Sequence, residues 1–150
     1  MNSIRHDSYT RYFGMDCRFW ESDNQYILQA NYSNNLLNQL DFKRYNDSEL
    51  VGKMYKKVAT DDVRNAYEVR TYCTYKGFKF YVESLYNGMY TIFPLEEAMR
   101  HFKDFPRQGY DPVYEAKEDE IEEIWEERKP IEGFIFDVEP VFYLKKKGNQ

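Results

Sequence analysis

"EDEIEEIWEERKP", residues 118–130, sets seven carboxylates and two bases around two isoleucines and a tryptophan. Ile121, Ile124 and Trp125 follow helical spacing, and Glu is a good helix former, so taken alone the stretch reads as one helix across 118–128. The chain carries its own comparison. "DDVRNAYEVR" (61–70) aligns with "DEIEEIWEER" (119–128): Asp61/Asp119, Glu68/Glu126 and Arg70/Arg128 are identical, and Val63/Ile121 and Tyr67/Trp125 are alike. The earlier copy continues as "YEVRTYCTY", whose β-branched and aromatic residues alternate with period two, as in a strand. The comparison favours a short helical turn at 61–65 and 119–123, each followed by a strand; the single helix is the competing reading.

Working outward, "GFKFYVES" (77–84) matches "GFIFDVEP" (133–140) at five of eight positions, and Tyr55 in "KMYKKV" matches Tyr114 in "PVYEAK". "WESDNQYIL" (20–28) resembles "VESLYNGMYTI" (82–92), each preceding a short helical pattern. Matches in one order, with gaps at turns, indicate a tandem duplication of about 60 residues. Within it, Phe78, Phe80 and Val82 alternate with polar neighbours, and Asn87-Gly88 is a strong hairpin signal because both residues tolerate positive φ. "FPLEEAMRHF" places Pro94 at a helix start, Leu95, Met99 and Phe102 on one face, and Glu96 and Glu97 near the positive end of the helix dipole. Ser33 is the expected cap of a helix carrying Leu36, Leu37 and Leu40. Phe105 to Pro112 is the main loop. The fold class expected is α+β: antiparallel sheet with two short helices, as two repeats in one domain. Its divisions are an N-terminal arm (1–16), a first repeat (17–80), a second (81–144) and a basic tail (145–150), neither repeat closing a core alone.

Whole-chain composition agrees. A 150-residue chain fits one domain, and its 19% aromatic content, fifteen Tyr and eleven Phe, leans toward sheet. No apolar run approaches the roughly 20 residues that span a bilayer, and the start lacks the pattern of a secretory signal. Two cysteines, Cys17 and Cys73, suit reduced, buried thiols of a cytoplasmic protein.

Motifs for chemistry are missing. No HExxH, paired CxxC, GxSxG, Walker loop or GxGxxG occurs, and His6 and His101 lie in a terminal arm and beside an apolar helix face. A calcium loop needs spaced acidic ligands around a glycine turn, and no glycine interrupts 118–123. Neither a metal, a cofactor nor a catalytic residue is therefore assigned; an enzyme with an unrecognised carboxylate or cysteine site is the minor alternative.

Charge is the remaining signal. The net −5 falls wholly in the second half, and residues 111–139 hold twelve acids against three bases. Such a field disfavours nucleic acid and anionic lipid and favours a cationic partner. The earlier copy has Arg64, Asn65 and Val69 where the later one has Glu122, Glu123 and Glu127, so the fold does not require those acids. The stretch reads either as a solvated face or as an acidic docking surface. The docking reading assigns partner binding to Glu118, Asp119, Glu120, Glu122, Glu123, Glu126 and Glu127, with Tyr110, Tyr72 and Tyr81 as candidate aromatic anchors.

"VYEAKEDEIEEIWEERKPIEGFIFDVEP" (113–140), with its echo at 54–84, resembles the cognate immunity proteins of bacterial polymorphic and contact-dependent toxin systems, over about residues 17–144. The resemblance implies a small acidic α+β protein of the cytoplasm that neutralises a secreted toxin domain, often a basic nuclease, by binding it without catalysis. It carries over no site residue by residue. A bacterial or phage adaptor that binds a host protein through the same acids remains the rival.

Overall fold

A computed structural model of the chain describes residues 4–30, 35–44, 53–102, 107–108 and 111–147. Among the described residues the chain is mostly antiparallel sheet with two short α-helices, in keeping with the α+β expectation. It forms two compact units: a leading unit of Asp7–Glu68 with Lys129–Val138, and a trailing unit of Met1–His6, Val69–Arg128 and Glu139–Gln150.

In the leading unit, β1 (Asp7–Tyr12), β2 (Met15–Ser22) and β3 (Gln25–Ala30) run as consecutive antiparallel strands. Helix α1 (Asn35–Gln39) leads to β4 (Met54–Val58), which pairs back on β3, and a single 3₁₀ turn follows at Thr60–Asp62. Alternation decides what is buried: Cys17 and Phe19 of β2, Leu28 and Ala30 of β3, and Met54 and Val58 of β4 share one core with Leu37 and Phe42. Ile131 and Phe134 pack against it from the late segment.

The trailing unit also opens on three antiparallel strands and a helix. Strands β5 (Tyr67–Tyr75), β6 (Phe78–Tyr86) and β7 (Met89–Pro94) precede helix α2 (Glu96–His101). Two-residue strands β8 (Arg107–Gln108) and β9 (Asp111–Pro112) pair with each other, and β10 (Tyr114–Lys117) then pairs back on β7. A 3₁₀ turn at Glu118–Glu120 leads into β11 (Ile121–Pro130), which lies beside β5, and β12 (Val141–Lys145) pairs with β11. Cys73, Phe80, Val82, Ile92, Ala98, Ala116, Ile121 and Ile124 form this unit's core.

Four hairpins turn on two residues with positive φ at both, the conformation that matches strand twist. Asn87-Gly88 (φ 51° and 76°) was legible; Asp23-Asn24 achieves the same without glycine (φ 52° and 62°).

The structure settles the opening choice for turn plus strand. The 3₁₀ turns occupy 60–62 and 118–120, and Val63 and Ile121 close them in the same extended conformation, each buried in its unit's core. Several expectations need correction. Residues 7–12 of the supposed N-terminal arm form β1, and Lys145 of the supposed basic tail ends β12. Pro94 ends β7, so Leu95 caps α2; Ala98 is its buried residue and Met99 is 49% exposed. Phe78 and Phe80 stand in β6, whereas the matched Phe134 and Phe136 lie in an irregular segment, so that pairing does not extend to secondary structure. The Ser33 cap, residues 105–106 and 109–110 of the expected loop, and with them Tyr110, lie outside the described residues, while 107–108 and 111–112 form the β8–β9 pair described above.

Candidate functional site

Four neighbouring strands of the trailing unit, β6, β5, β11 and β12, each place an aromatic side chain on the sheet face opposite the core. Tyr81 meets Tyr72 edge to face at 5.9 Å between ring centroids, Tyr72 meets Trp125 at 6.4 Å, and Trp125 meets Tyr143 at 6.1 Å. Period two explains the row: core residues Cys73, Phe80 and Ile124 are the sequence neighbours of Tyr72, Tyr81 and Trp125, so the latter point the other way. Tyr72, Tyr81 and Trp125 are half-buried, and Tyr143 is exposed.

Polar groups fix the row. Lys79 Nζ lies 4.3 Å from the centre of the Tyr72 ring and 5.9 Å from that of Trp125, and pairs with Glu127 at 2.7 Å. Glu127 also accepts the Trp125 indole N–H at 3.0 Å, so a single carboxylate orients both the cation and the indole. At the far end His6 lies 4.7 Å from Tyr81. A bulge between Val82 and Ser84 breaks the β6–β7 register, and His6 Nε2 donates to the Val82 carbonyl at 2.6 Å. Since a carbonyl only accepts, Nε2 carries the proton, and Nδ1 of the neutral ring accepts from the Tyr81 hydroxyl at 3.1 Å. Burial of the ring holds the His6 pKa below its ordinary value, which keeps this tautomer.

The acidic stretch is heterogeneous. Glu118, Asp119 and Glu120 are exposed, although Glu120 Oε1 accepts the Lys117 N–H at 2.9 Å. Glu122 binds the Gly77 N–H at 3.0 Å and Lys147 at 3.0 Å, and these hydrogen bonds, Lys147 first, lower its pKa. Glu123 is half-buried.

Glu126 is a correction: it is 3% exposed and is no part of a docking face. Its carboxylate takes Arg5 in a two-point grip (2.9 Å at each oxygen) and Arg128 at 2.8 Å, while Arg128 Nη1 reaches the Glu139 carbonyl at 3.2 Å. Burial pushes the Glu126 pKa up, but the hydrogen bonds and charges of the two guanidiniums outweigh it and hold the pKa below the ordinary value. Strand parity explains the error: Glu126 shares the inward face with Ile124, which a helical reading would have separated.

Two further features concern chemistry. Burial pushes both Cys17 and Cys73 up to about 12, so each is a protonated thiol near neutrality. The leading unit has a cleft of about 530 Å³ lined by Ile27, Asp41, Lys43, Arg44, Tyr55, Lys56 and Lys57. Its bases come from two segments more than ten residues apart, so charge counting along the chain missed it. Among the described residues, no group of three or more His, Cys, Asp or Glu could hold a metal, and no helix is long and apolar enough to cross a membrane.

Residues 4–133 match the family described as "Uncharacterised conserved protein UCP033725". The chain belongs to that family. The match takes in Tyr72, Tyr81 and Trp125 of the aromatic row, and stops short of β12. The family's description names no activity or partner. No curated protein and no solved structure matches the chain.

Proposed function

We propose that the protein is a non-catalytic binding protein that captures a basic protein partner on the aromatic face of its trailing unit. The observation that carries this reading is the row Tyr81, Tyr72, Trp125 and Tyr143 on the sheet face opposite the core, half-buried in its first three members and exposed at Tyr143. Tyr and Trp are the residues whose burial dominates interface energy, and they sacrifice little side-chain entropy. Charged groups at the rim raise the rate of encounter. A partner seated on the row leaves slowly, and one drawn by the acids arrives fast.

Together with the resemblance to immunity proteins, this makes the partner a cognate toxin domain with a basic surface, such as a nuclease, met in the cytoplasm. Residues assigned to the contact are Tyr72, Tyr81, Trp125 and Tyr143, with Glu118, Asp119 and Glu123 as steering charges. The scaffold is read as a tandem duplication. Both halves hold three strands, a helix, a returning strand and a 3₁₀ turn, closed by Val63 in one and Ile121 in the other, with the β8–β9 pair set between helix and returning strand in the second.

The test requires a secreted protein encoded beside the chain's gene, whose C-terminal domain is purified as the probe. Trp125→Ala should weaken binding by at least about tenfold through faster release, the loss of one interface anchor. Reversing Glu118, Asp119 and Glu123 to Lys should slow association and flatten its salt dependence. Equal kinetics for the folded variants and wild type, or no binding of wild type, would sink the reading.

A further inference from the structure

We propose that the cleft of the leading unit binds a small organic phosphate, its phosphate between Lys43 and Lys57 and its apolar body against Ile27 and Tyr55. The cleft holds about 530 Å³, and four bases line it against one acid, Asp41. That volume suits a small molecule, whose sites span about 300–1,000 Å³. Strand register explains why these side chains meet. Lys43 and Tyr55 exchange both backbone hydrogen bonds at 2.8 Å, so they stand side by side on one face. Lys57, two residues along β4, points to the same face, and its register partner on β3 is Ile27. This is the face opposite the core, because Leu28 and Met54, the sequence neighbours of Ile27 and Tyr55, are core residues.

Burial and charge select the ligand. Ile27 and Tyr55 are each 8% exposed, and the Tyr55 hydroxyl accepts from Gln29 Nε2 at 2.8 Å, which gives the cleft a firm apolar floor. Trp20, paired with Ile27, braces the Tyr55 ring edge to face at 6.3 Å. At the rim, Lys43 and Lys57 are exposed, and neither forms an ion pair with a described residue, Asp41 included. Diagonal neighbours across a strand pair lie about 7–8 Å apart, so two lysine side chains so placed can reach one anion. A phosphate monoester carries a charge of about −1.5 to −2 at pH 7 and three acceptor oxygens, which two ammoniums balance. A single carboxylate would leave one positive charge over. Lys56, on the core face, donates to the Leu40 carbonyl at 2.7 Å and ties the turn before Lys43 to β4.

Calorimetric titration of the full chain with three probes tests this: AMP has both parts, adenosine lacks the phosphate, and inorganic phosphate lacks the apolar body. AMP should bind one to one, at least about tenfold more tightly than either fragment. Lys43→Gln with Lys57→Gln should weaken AMP at least about tenfold, through the loss of two charge-assisted contacts. Asp41→Asn should tighten it, since asparagine tolerates the positive φ of 67° at that position and removes the opposing charge. Lys76→Gln with Lys146→Gln takes two exposed lysines from the trailing unit and should leave AMP affinity within about twofold. AMP binding weaker than about millimolar overturns the inference. So does AMP binding that the Lys43/Lys57 variant retains while circular dichroism shows it folded, or either fragment binding as tightly as AMP. The cleft and the aromatic row belong to different units and take different ligands, so failure here leaves the proposed capture of a basic partner untouched.

Discussion

Glu126 is buried between two arginines, and removing it takes away the carboxylate that both guanidiniums grip in a site nearly closed to water. Breaking a buried pair from one side costs about 3–5 kcal/mol, well above the value of a surface acid. Glu126→Ala should therefore lower stability in urea by about that amount, whereas Glu123→Ala should stay within about 0.5 kcal/mol of wild type. The pH dependence has a definite sign. A carboxylate whose folded pKa lies below its unfolded value contributes stability above the unfolded pKa of about 4.3, and loses it as pH falls through the folded value. Wild type should accordingly lose its advantage over Glu126→Ala as urea titrations are taken progressively below that unfolded pKa. A constant difference would show that the arginines do not hold the carboxylate ionised. The identity of Glu126 with Glu68 was visible in the chain, but its burial was not. A run of seven acids looks uniform until strand parity assigns each to a face.

At the level of elements, β11 shows what the sequence can and cannot tell. Ile121, Ile124 and Trp125 have the spacing of a helix face. In the structure Ile121 ends a turn, Ile124 points inward, and the register shift between Ile124 and Trp125 belongs to a bulge against β12. The internal echo at 61–75 favoured the strand, because Val69, Thr71 and Cys73 alternate with period two, and β11 decides against the competing helix. Helix α2 failed at its boundary, where Pro94 suits a strand end as well as a first helical turn. Hairpins are the most legible elements, and they support a sharp expectation. Gly88 sits at φ 76° with open space where a Cβ would go, so Gly88→Ala meets a backbone cost alone, about 1–2 kcal/mol. Chemical denaturation should show that loss, with the slope against denaturant unchanged. A neutral substitution would mean that the turn relaxes to another type.

For the whole molecule, the proposed duplication has a consequence at the level of exchangeable parts. "TDDV" (60–63) and "EDEI" (118–121) each form a 3₁₀ turn followed by a buried aliphatic residue. Transplanting the second segment into the first position adds one methylene to the core and should cost no more than about 1–3 kcal/mol, leaving a folded, cooperative protein. Thermal and urea melts decide it, and a chain that no longer folds would count against a common origin for the turns. Sheet class and the 3₁₀–strand join were legible because they rest on local periodicity. The aromatic row was half-legible: Tyr72 and Tyr81 stood out as anchors, but only strand order places Trp125 between them and Tyr143.

The interleaving of the two units bears on how the chain is made. Arg5 waits for Glu126, its partner 121 positions later, and the leading unit's core gains Phe134 only after most of the trailing unit has been made. At translation rates of about 5–20 residues per second, Arg5 is made several seconds before the Glu126 carboxylate that grips it. During that interval the first strands present their edges to whatever lies near the exit tunnel. Completion of both units is therefore nearly simultaneous, so a ribosome stalled before residue 129 would hold two unfinished units instead of one finished and one pending.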